Sequence, residues 1–202
     1  MRIIPFPVDD ESADQQAAAL LIVAFREHWP NAWPDMESAL EEVHECLEAE
    51  TICLAALDGA GRVLGWIGAR PAYGVTGWEL HPLVVDPAQQ GQGIGRALVR
   101  ELESEVRGRG GVTIFLGSDD ENGMTSLADV DLYPDVAGHI ATIRNLKRHP
   151  FEFYQKQGYT IVGVIPDANG PGKPDIMMAK RIVPRKASEV YNPGGKIVGT
   201  SA

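Results

Sequence analysis

The sequence has few cysteines, few basic residues and no long hydrophobic run. Its 202 residues include two cysteines, Cys46 and Cys53, and the nearby His44 does not complete any spacing typical of a zinc site. We therefore expect two reduced, buried thiols and no bound metal. Unpaired thiols are typical of a protein that stays in the cytoplasm.

The shortage of positive charge limits the class of partner. Lys and Arg number 18 against 28 Asp and Glu, which gives a formal net charge of −10 at pH 7. A nucleic-acid-binding protein needs a basic surface to meet phosphates, so this class is not expected. The acidic surface fits either a polycationic ligand or a simple role in solubility.

Hydrophobic runs are also short. No apolar stretch approaches the roughly 18 residues that a membrane span requires. The N-terminal letters MRIIPFPVDDES lack the basic start and apolar stretch of a signal peptide. We expect no membrane partner and a cytoplasmic location.

The overall composition is typical of a globular domain, with 44% hydrophobic and 23% charged residues. A chain of this length can bury a full core. Periodicity ends near Ile182, so we expect one domain over residues 1–182. Residues 183–202 are expected to form a flexible C-terminal tail.

Hydrophobic periodicity predicts an α/β fold. Strands are expected at residues 2–6, 51–57, 62–69, 77–85, 112–117, 159–166 and 175–182. Helices are expected at residues 12–29, 36–48, 93–107 and 149–159. Ser12 is the expected N-cap of the first helix. Residues 71–77 are expected to form a turn, and residues 118–138 a long irregular loop.

The strand GWELHPLVV, residues 77–85, combines polar residues with a proline. Alternation predicts one face with Trp78, Leu80 and Val84 and another with Glu79, His81 and Leu83. Pro82 lacks an N–H, which favours a bulge or a gap in the strand ladder. Glu79 and His81 are either part of a site at this gap or a polar pair satisfied by water.

A glycine-rich loop follows this strand and leads into a helix. The letters QQGQGIG place Gly91, Gly93 and Gly95 where backbone amides and a helix N-terminus can bind an anion such as pyrophosphate. The dinucleotide pattern G-x-G-x-x-G fails, because Arg96 or Leu98 occupies its last position. The P-loop pattern also fails, because no Gly-Lys-Ser/Thr follows. The remaining motif is Q-x-x-G-x-G, residues 90–95.

This motif, together with the late aromatic segment FEFYQKQGY, resembles the GNAT superfamily of acetyl-coenzyme A-dependent N-acetyltransferases. A narrower resemblance is to the aminoglycoside 6′-N-acetyltransferases. It rests on the segments GWIGARPAYGVTGWELHPLVV, GGVTIFLGSDDE, DLYPD, NLKRHPFEFYQKQGYTIVGV and PDANGPGKPDIMMAK. The resemblance covers residues 1–185, densely from residue 62 onward.

The resemblance implies a GNAT fold, with a mixed, mostly antiparallel sheet whose central strands splay apart and are flanked by helices. Acetyl-coenzyme A would be the cosubstrate, with no metal. Its pantetheine arm would meet the backbone of Leu83, Val84 and Val85. Its pyrophosphate would meet the segment Gln90, Gly91, Gln92, Gly93, Ile94, Gly95, Arg96 and Ala97, with Arg96 or Arg100 as charge partners.

Four residues are the candidates for catalysis. Glu79 would hold the acceptor ammonium and take its proton, directly or through water. The Leu83 N–H would stabilise the oxyanion. His81 either helps the acceptor or only stiffens the bulge. Tyr154, which the resemblance assigns as the acid for the thiolate, could otherwise be a core residue.

Carboxylates are the candidates for holding a polycationic acceptor. Asp119 and Asp120 follow the fifth strand and Asp175 precedes the last one, although each could be a solvated turn residue. Tyr73 and Trp29 could pack against sugar rings or belong to the core.

The resemblance implies acetyl transfer to the 6′-amine of aminoglycoside antibiotics, which confers resistance, by direct attack through a tetrahedral intermediate. It also implies a homodimer. One alternative is a GNAT enzyme that acts on a polyamine or a protein amine. Another is a module that senses acyl-coenzyme A without turnover, although such a sensor would need neither Glu79 nor Tyr154.

Overall fold

The computed structural model describes residues 1–184, and the predicted tail from residue 185 onward lies outside the described residues. The strands are β1 Arg2–Pro5, β2 Ile52–Leu57, β3 Val63–Tyr73, β4 Gly77–Val85, β5 Thr113–Leu116, β6 Thr160–Ile165 and β7 Asp175–Arg181. The α-helices are α1 Glu11–Phe25, α2 Met36–Cys46, α3 Ile94–Gly108, α4 Val136–Ala141 and α5 Phe151–Lys156. None of the helices within residues 1–184 is long and apolar enough to cross a membrane.

The strands form one seven-stranded sheet in the order β1-β2-β3-β4-β5-β7-β6. Neighbouring strands are antiparallel except β4 and β5, which are parallel. α3 makes the crossover that a parallel pair requires. The predicted α/β fold, with a mixed and mostly antiparallel sheet flanked by helices, is confirmed.

β4 and β5 separate soon after they begin. Their ladder joins Gly77–Glu79 to Thr113–Phe115 only. Further along, β4 pairs with β3 through one edge, and β5 continues against β7. The predicted splay of the central strands is therefore present as a wedge in the middle of the sheet.

Helices cover the sheet on both sides of β4. α3 buries Leu98, Leu102 and Val106 against one face. α1 and α2 pack on the other face around Trp66, which is fully buried and whose indole N–H donates to the Ala17 carbonyl oxygen at 3.1 Å. Two cores therefore hold β4 in place while one of its edges is open.

Three local predictions are corrected. The N-cap of α1 is Asp10 rather than Ser12, because Asp10 Oδ1 accepts from the N–H groups of Ser12 and Ala13 at 3.1 Å each. β3 continues to Tyr73, through a segment predicted as a turn, because it pairs with β4 as far as Gly77. Residues 118–138, predicted to be irregular, include a 3₁₀ turn and the start of α4.

A β-bulge interrupts β4 at the predicted proline. The register shifts by one residue there, with Ile67 opposite Leu83 and Ala69 opposite Leu80. Gly68 therefore faces both His81 and Pro82, which are joined by a cis peptide bond. The expectation that Pro82 breaks the ladder is confirmed.

The bulge also changes the face that each β4 side chain occupies. Trp78 and Leu80 belong to the core beneath α3. Past the bulge, Val84 belongs to the core beneath α1 and α2, while Leu83 packs against the core beneath α3. The prediction of one continuous face through Trp78, Leu80 and Val84 was wrong, because the extra residue inverts the alternation.

Gly68→Ala should destabilise the fold, because a Cβ at this position would overlap the carbonyl oxygen of His81 and the Sγ of Cys46. We expect the free energy of unfolding, measured by urea denaturation, to fall by about 1–3 kcal/mol. Gly108→Ala is the matched control, since a Cβ there meets no atom within 4 Å. An unchanged free energy for Gly68→Ala would contradict the close packing at the bulge.

Candidate active site

The wedge between β4 and β5 opens into two adjoining cavities. The loop cavity, of about 760 Å³, lies along the glycine-rich loop, the start of α3 and α5. The aromatic cavity, of about 330 Å³, lies between the α1–α2 connection and the facing parts of β4 and the β5 end. The residues that line both are Leu83, Val85, Gln90, Pro150 and Tyr154. Groups bound in the two cavities can therefore meet at this shared wall.

The rim of the loop cavity is backbone. Gly91 and Gly93 have φ angles of 78° and 85°, a left-handed conformation that glycine adopts without strain. Gly93 caps α3 without a side chain, so the N–H groups of the first turn have no side-chain partner there. A helix N-terminus of this kind attracts anions.

The structure brings most of the predicted loop residues together. Those lining the loop cavity are Gln90, Gly91, Gln92, Gly93, Ile94, Gly95 and Arg96. Ala97 lies outside the lining, and its N–H is already used within α3, where it donates to the Gly93 carbonyl at 3.0 Å. Arg100 is exposed on α3 and is also outside the lining.

Two basic residues of the loop cavity were missed. Arg148 and Lys156 line it together with Arg96, in a chain whose net charge is −10. This local excess of positive charge indicates an anionic ligand. The letters NLKRHP before the aromatic helix were the available signal, because they are basic within an acidic sequence.

The backbone of β4 past the bulge forms the floor between the cavities. Leu83, Val84 and Val85 pair with β3 through one edge, and their other edge faces the wedge. Backbone groups at such an edge need a partner from a ligand or from water. The prediction that these three residues meet a ligand stays a prediction, and their position is compatible with it.

Tyr154 stands in the shared wall. Its side chain is buried and packs edge-on against Phe153 and Tyr159. Burial raises the pKa of the Tyr154 phenol above its usual value, so the hydroxyl stays protonated at neutral pH. A protonated phenol in this place can donate a proton to an anion formed in either cavity.

Aromatic side chains form one side of the aromatic cavity. Phe25, Trp29 and Trp33 line it, with the Phe25 ring 5.4 Å from Trp29 and 4.7 Å from Trp33. The Trp29 indole N–H donates to the Asp119 carbonyl at 3.2 Å, which joins the α1–α2 connection to the segment after β5. The sequence left Trp29 open between a ligand contact and a core role, and Trp33 was missed.

Acidic side chains lie on the other side. Asp119 and Glu121 line the aromatic cavity. The backbone of Asp175 pairs with that of Asp119 in an isolated antiparallel β-bridge. Burial, and then the charges of Asp119 and Glu79, raise the pKa of Asp175 to about 6. Within the described residues, Asp175 Oδ1 is buried without a hydrogen-bond partner. A cation bound here would be stabilised by these charges.

Glu79 lies at the edge of this acidic group. Its Oε2 accepts from the Arg70 Nε at 2.8 Å, and the side chain is not part of the lining of either cavity. His81 does line the aromatic cavity. Its Nε2 lies 3.4 Å from Glu42 Oε1, a contact between α2 and β4 that the sequence did not indicate.

Besides Glu79 and Asp175, two more of the predicted acceptor residues, Asp120 and Tyr73, do not line the aromatic cavity. Asp120 is fully buried, and its oxygens accept from the N–H groups of Met124 and Thr125 at 2.7 Å each, so it shapes the loop instead. Tyr73 is 73% exposed and lies with Phe115 in a separate shallow depression. The prediction that Asp120 meets the acceptor stays a prediction, and both of its carboxylate oxygens already accept from backbone N–H groups.

Both cysteines are free thiols. Cys46 is a buried free thiol and Cys53 a partly buried one. In the part of the chain that the structure describes, no group of three or more His, Cys, Asp or Glu residues is arranged to hold a metal ion.

Comparisons with known proteins agree with this geometry. The model of the GNAT acetyltransferase family matches residues 16–128. The chain is similar to an aminoglycoside 6′-N-acetyltransferase complexed with coenzyme A, at 47% identity and a TM-score of 0.86 over 92% of this chain and 99% of that one. It is also similar to the aminoglycoside 6′-N-acetyltransferase from Enterococcus faecium, at 46% identity and a TM-score of 0.82 over 92% and 99%. The comparison with curated proteins gave no match.

Asp175→Asn should stabilise the protein at pH 7.5, because the ionised carboxylate is unfavourable beside Asp119 and Glu79. The pKa rises from 3.8 to about 6 on folding, so the contribution of Asp175 to stability is present below pH 4 and lost as the pH rises through 6. We expect the variant to be more stable by on the order of 1 kcal/mol at pH 7.5, after allowance for solvent screening.

Urea denaturation at pH 7.5 and pH 4.5 measures this difference, which should be much smaller at the lower pH. Asp9→Asn, which removes an exposed carboxylate, is the control. A stabilisation of equal size at both pH values would contradict the assignment to the Asp175 charge.

Proposed function

The chain belongs to the GNAT acetyltransferase family, and we propose that it transfers the acetyl group of acetyl-coenzyme A to the 6′-amine of aminoglycoside antibiotics. The observation that carries this proposal is the pair of cavities that meet at Leu83 and Tyr154. The loop cavity suits coenzyme A and the aromatic cavity suits a cationic sugar. Relatives at 47% and 46% identity are aminoglycoside 6′-N-acetyltransferases, and one of them is complexed with coenzyme A.

The cosubstrate lies with its phosphates on the loop. The amides of residues 91–96 and the basic side chains of Arg96, Arg148 and Lys156 bind them. The pantetheine arm occupies the wedge beside Leu83, Val84 and Val85, where it completes the open edge of β4. This places the thioester at the shared wall.

The chemistry is a direct acyl transfer. Glu79 holds the acceptor ammonium and draws off its proton, directly or through water, and His81 orients the acceptor or shares in this transfer. The free amine forms a C–N bond with the carbonyl carbon, and the Leu83 N–H stabilises the oxyanion of the tetrahedral intermediate. The C–S bond then breaks, Tyr154 protonates the leaving thiolate, and the second proton of the acceptor nitrogen passes through water to the Tyr154 phenolate, which restores the phenol and leaves a neutral amide.

The acceptor is held by charge and by aromatic surface. Asp119, Asp175 and Glu121 attract ammonium groups, while Trp29 and Trp33 offer flat apolar faces to sugar rings. A polyamine would use the same charges but would leave the aromatic side without a partner, which favours an aminoglycoside. Tyr73 is exposed at a separate place and contributes only if the drug extends across the sheet.

The proposal includes a cytoplasmic homodimer that confers antibiotic resistance. The edge strand β6 exposes Val162 and Ile165, which are 63% and 50% exposed. Apolar strand edges are usually covered in the working protein. Acetyl-coenzyme A and the free thiols of Cys46 and Cys53 are compatible with the cytoplasm.

Thiol release from acetyl-coenzyme A should depend on a 6′-amine in the acceptor, because a hydroxyl is a poor nucleophile at this site. Kanamycin-like and tobramycin-like drugs should release coenzyme A and carry the acetyl group on the 6′ nitrogen, as mass spectrometry and NMR of the product would report. Drugs with a 6′-hydroxyl are the control. The KM for the drug should rise with salt, because a polycation meets an acidic cavity.

More efficient acetylation of spermidine or of a peptide amine than of any aminoglycoside would overturn the acceptor assignment. Transfer to a different ring nitrogen would also contradict it. Binding of acetyl-coenzyme A with no turnover on any amine would instead support a sensor.

Tyr154→Phe should slow acetyl transfer while both substrates still bind, because the thiolate loses its proton donor. We expect kcat to fall by about 10²-fold or more and the affinity for acetyl-coenzyme A, measured by calorimetry, to stay the same. Tyr159→Phe is the matched control, since this neighbouring tyrosine is buried and lines neither cavity. Equal kcat values for the two variants would contradict the role of Tyr154 as a proton donor and indicate that it only packs in the core.

A further inference from the structure

A carboxylate on α2 lies behind the histidine of the aromatic cavity. Glu42 Oε1 is 3.4 Å from His81 Nε2, and the Glu42 side chain is 16% exposed against 43% for His81. His81 lines the aromatic cavity and Glu42 does not. The imidazole is therefore the group that an acceptor can touch, and the carboxylate can act only through it.

Glu42 is held as an anion. Burial would raise the pKa of its carboxyl group, but the hydrogen bond and charge of His81, followed by Trp33 and Arg70, lower it below its usual value. A carboxylate beside an imidazole fixes which ring nitrogen carries the hydrogen and stabilises the ring once it is protonated.

The other groups around His81 do not provide this contact. The small cavity behind the ring is also lined by Glu45, Cys46, Thr51, Ala69 and Arg70. Arg70 is paired with Glu79, and the Trp33 ring lies 6.1 Å from the imidazole. Asp119 and Glu121 face the ring from across the aromatic cavity. Among the acids of residues 1–184, Glu42 alone lies within 4 Å of the His81 nitrogens.

We propose that Glu42 is a positioning residue that directs His81 Nε2–H toward α2 and leaves Nδ1 free for the acceptor. This proposal rests on the proposed function. Glu79 holds the acceptor ammonium, His81 Nδ1 shares in removing its proton, and the free amine then forms the C–N bond. The imidazolium is stabilised by the Glu42 carboxylate and returns the proton to water after the product leaves.

The test compares Glu42→Gln and Glu42→Ala with the wild type in acetyl transfer to a kanamycin-like drug. Glu42→Gln keeps a hydrogen-bond acceptor but loses the charge, and Glu42→Ala loses both. We expect kcat to fall about tenfold in Glu42→Gln and further in Glu42→Ala, with an unchanged KM for acetyl-coenzyme A. Glu41→Gln removes an exposed carboxylate from the same helix and should have no effect.

The dependence of the Glu42 effect on His81 separates positioning from a structural role. In a His81→Asn background, Glu42→Gln should have no further effect on kcat, because the group it acts through is gone. Thermal unfolding of each variant shows whether the fold is retained.

A ¹⁵N NMR spectrum of the histidine side chains gives a readout that does not need turnover. In the wild type, His81 should carry its hydrogen on Nε2, and Glu42→Ala should change its ring signals more than those of the other histidines. An equal loss of kcat in the His81→Asn background would overturn the proposal. If the wild type acetylates no aminoglycoside, the proposed function fails, and unchanged His81 signals in Glu42→Ala would separately overturn the contact.

Discussion

A sheet satisfies its own backbone hydrogen bonds, so a ligand can enter its middle only where a strand has lost a partner. In this protein that condition is met by β4, which pairs with β5 over Gly77–Glu79 and then with β3 alone. The bulge at Gly68 and Pro82 lies just beyond this point. The cores on the two faces keep β4 in position, so the open edge is a fixed feature of the fold and the cavities are built around it.

Charge is divided between the two cavities. The loop cavity has Arg96, Arg148 and Lys156, whereas the acidic side chains Asp119 and Glu121 line the aromatic cavity. The net charge of −10 describes neither environment. An anionic cosubstrate and a cationic acceptor are each attracted to one side of the same wall, which brings the two reacting groups together.

The sequence predicted the features that depend on neighbouring residues. The glycine loop, the interrupted strand at Pro82 and the helix at residues 93–107 follow from local chemistry, and the residues that line the loop cavity follow from them. Contacts between distant segments were not predictable in this way. Glu42 meets His81 only because α2 packs across β3 and β4. The sequence around Asp120 likewise does not show that the following loop brings two backbone N–H groups to its carboxylate.

The acidic side of the aromatic cavity has a consequence for product release. An aminoglycoside amine is positively charged before the reaction, and the amide formed from it is neutral. In the proposed complex, the product therefore carries one charge fewer than the substrate beside Asp119 and Asp175, which are neighbours in the structure, and its attraction to these two carboxylates is weaker. Acetylation therefore weakens the electrostatic attraction that holds the product. A new drug molecule, which has its full charge, displaces this product more readily than it would displace an unreacted drug.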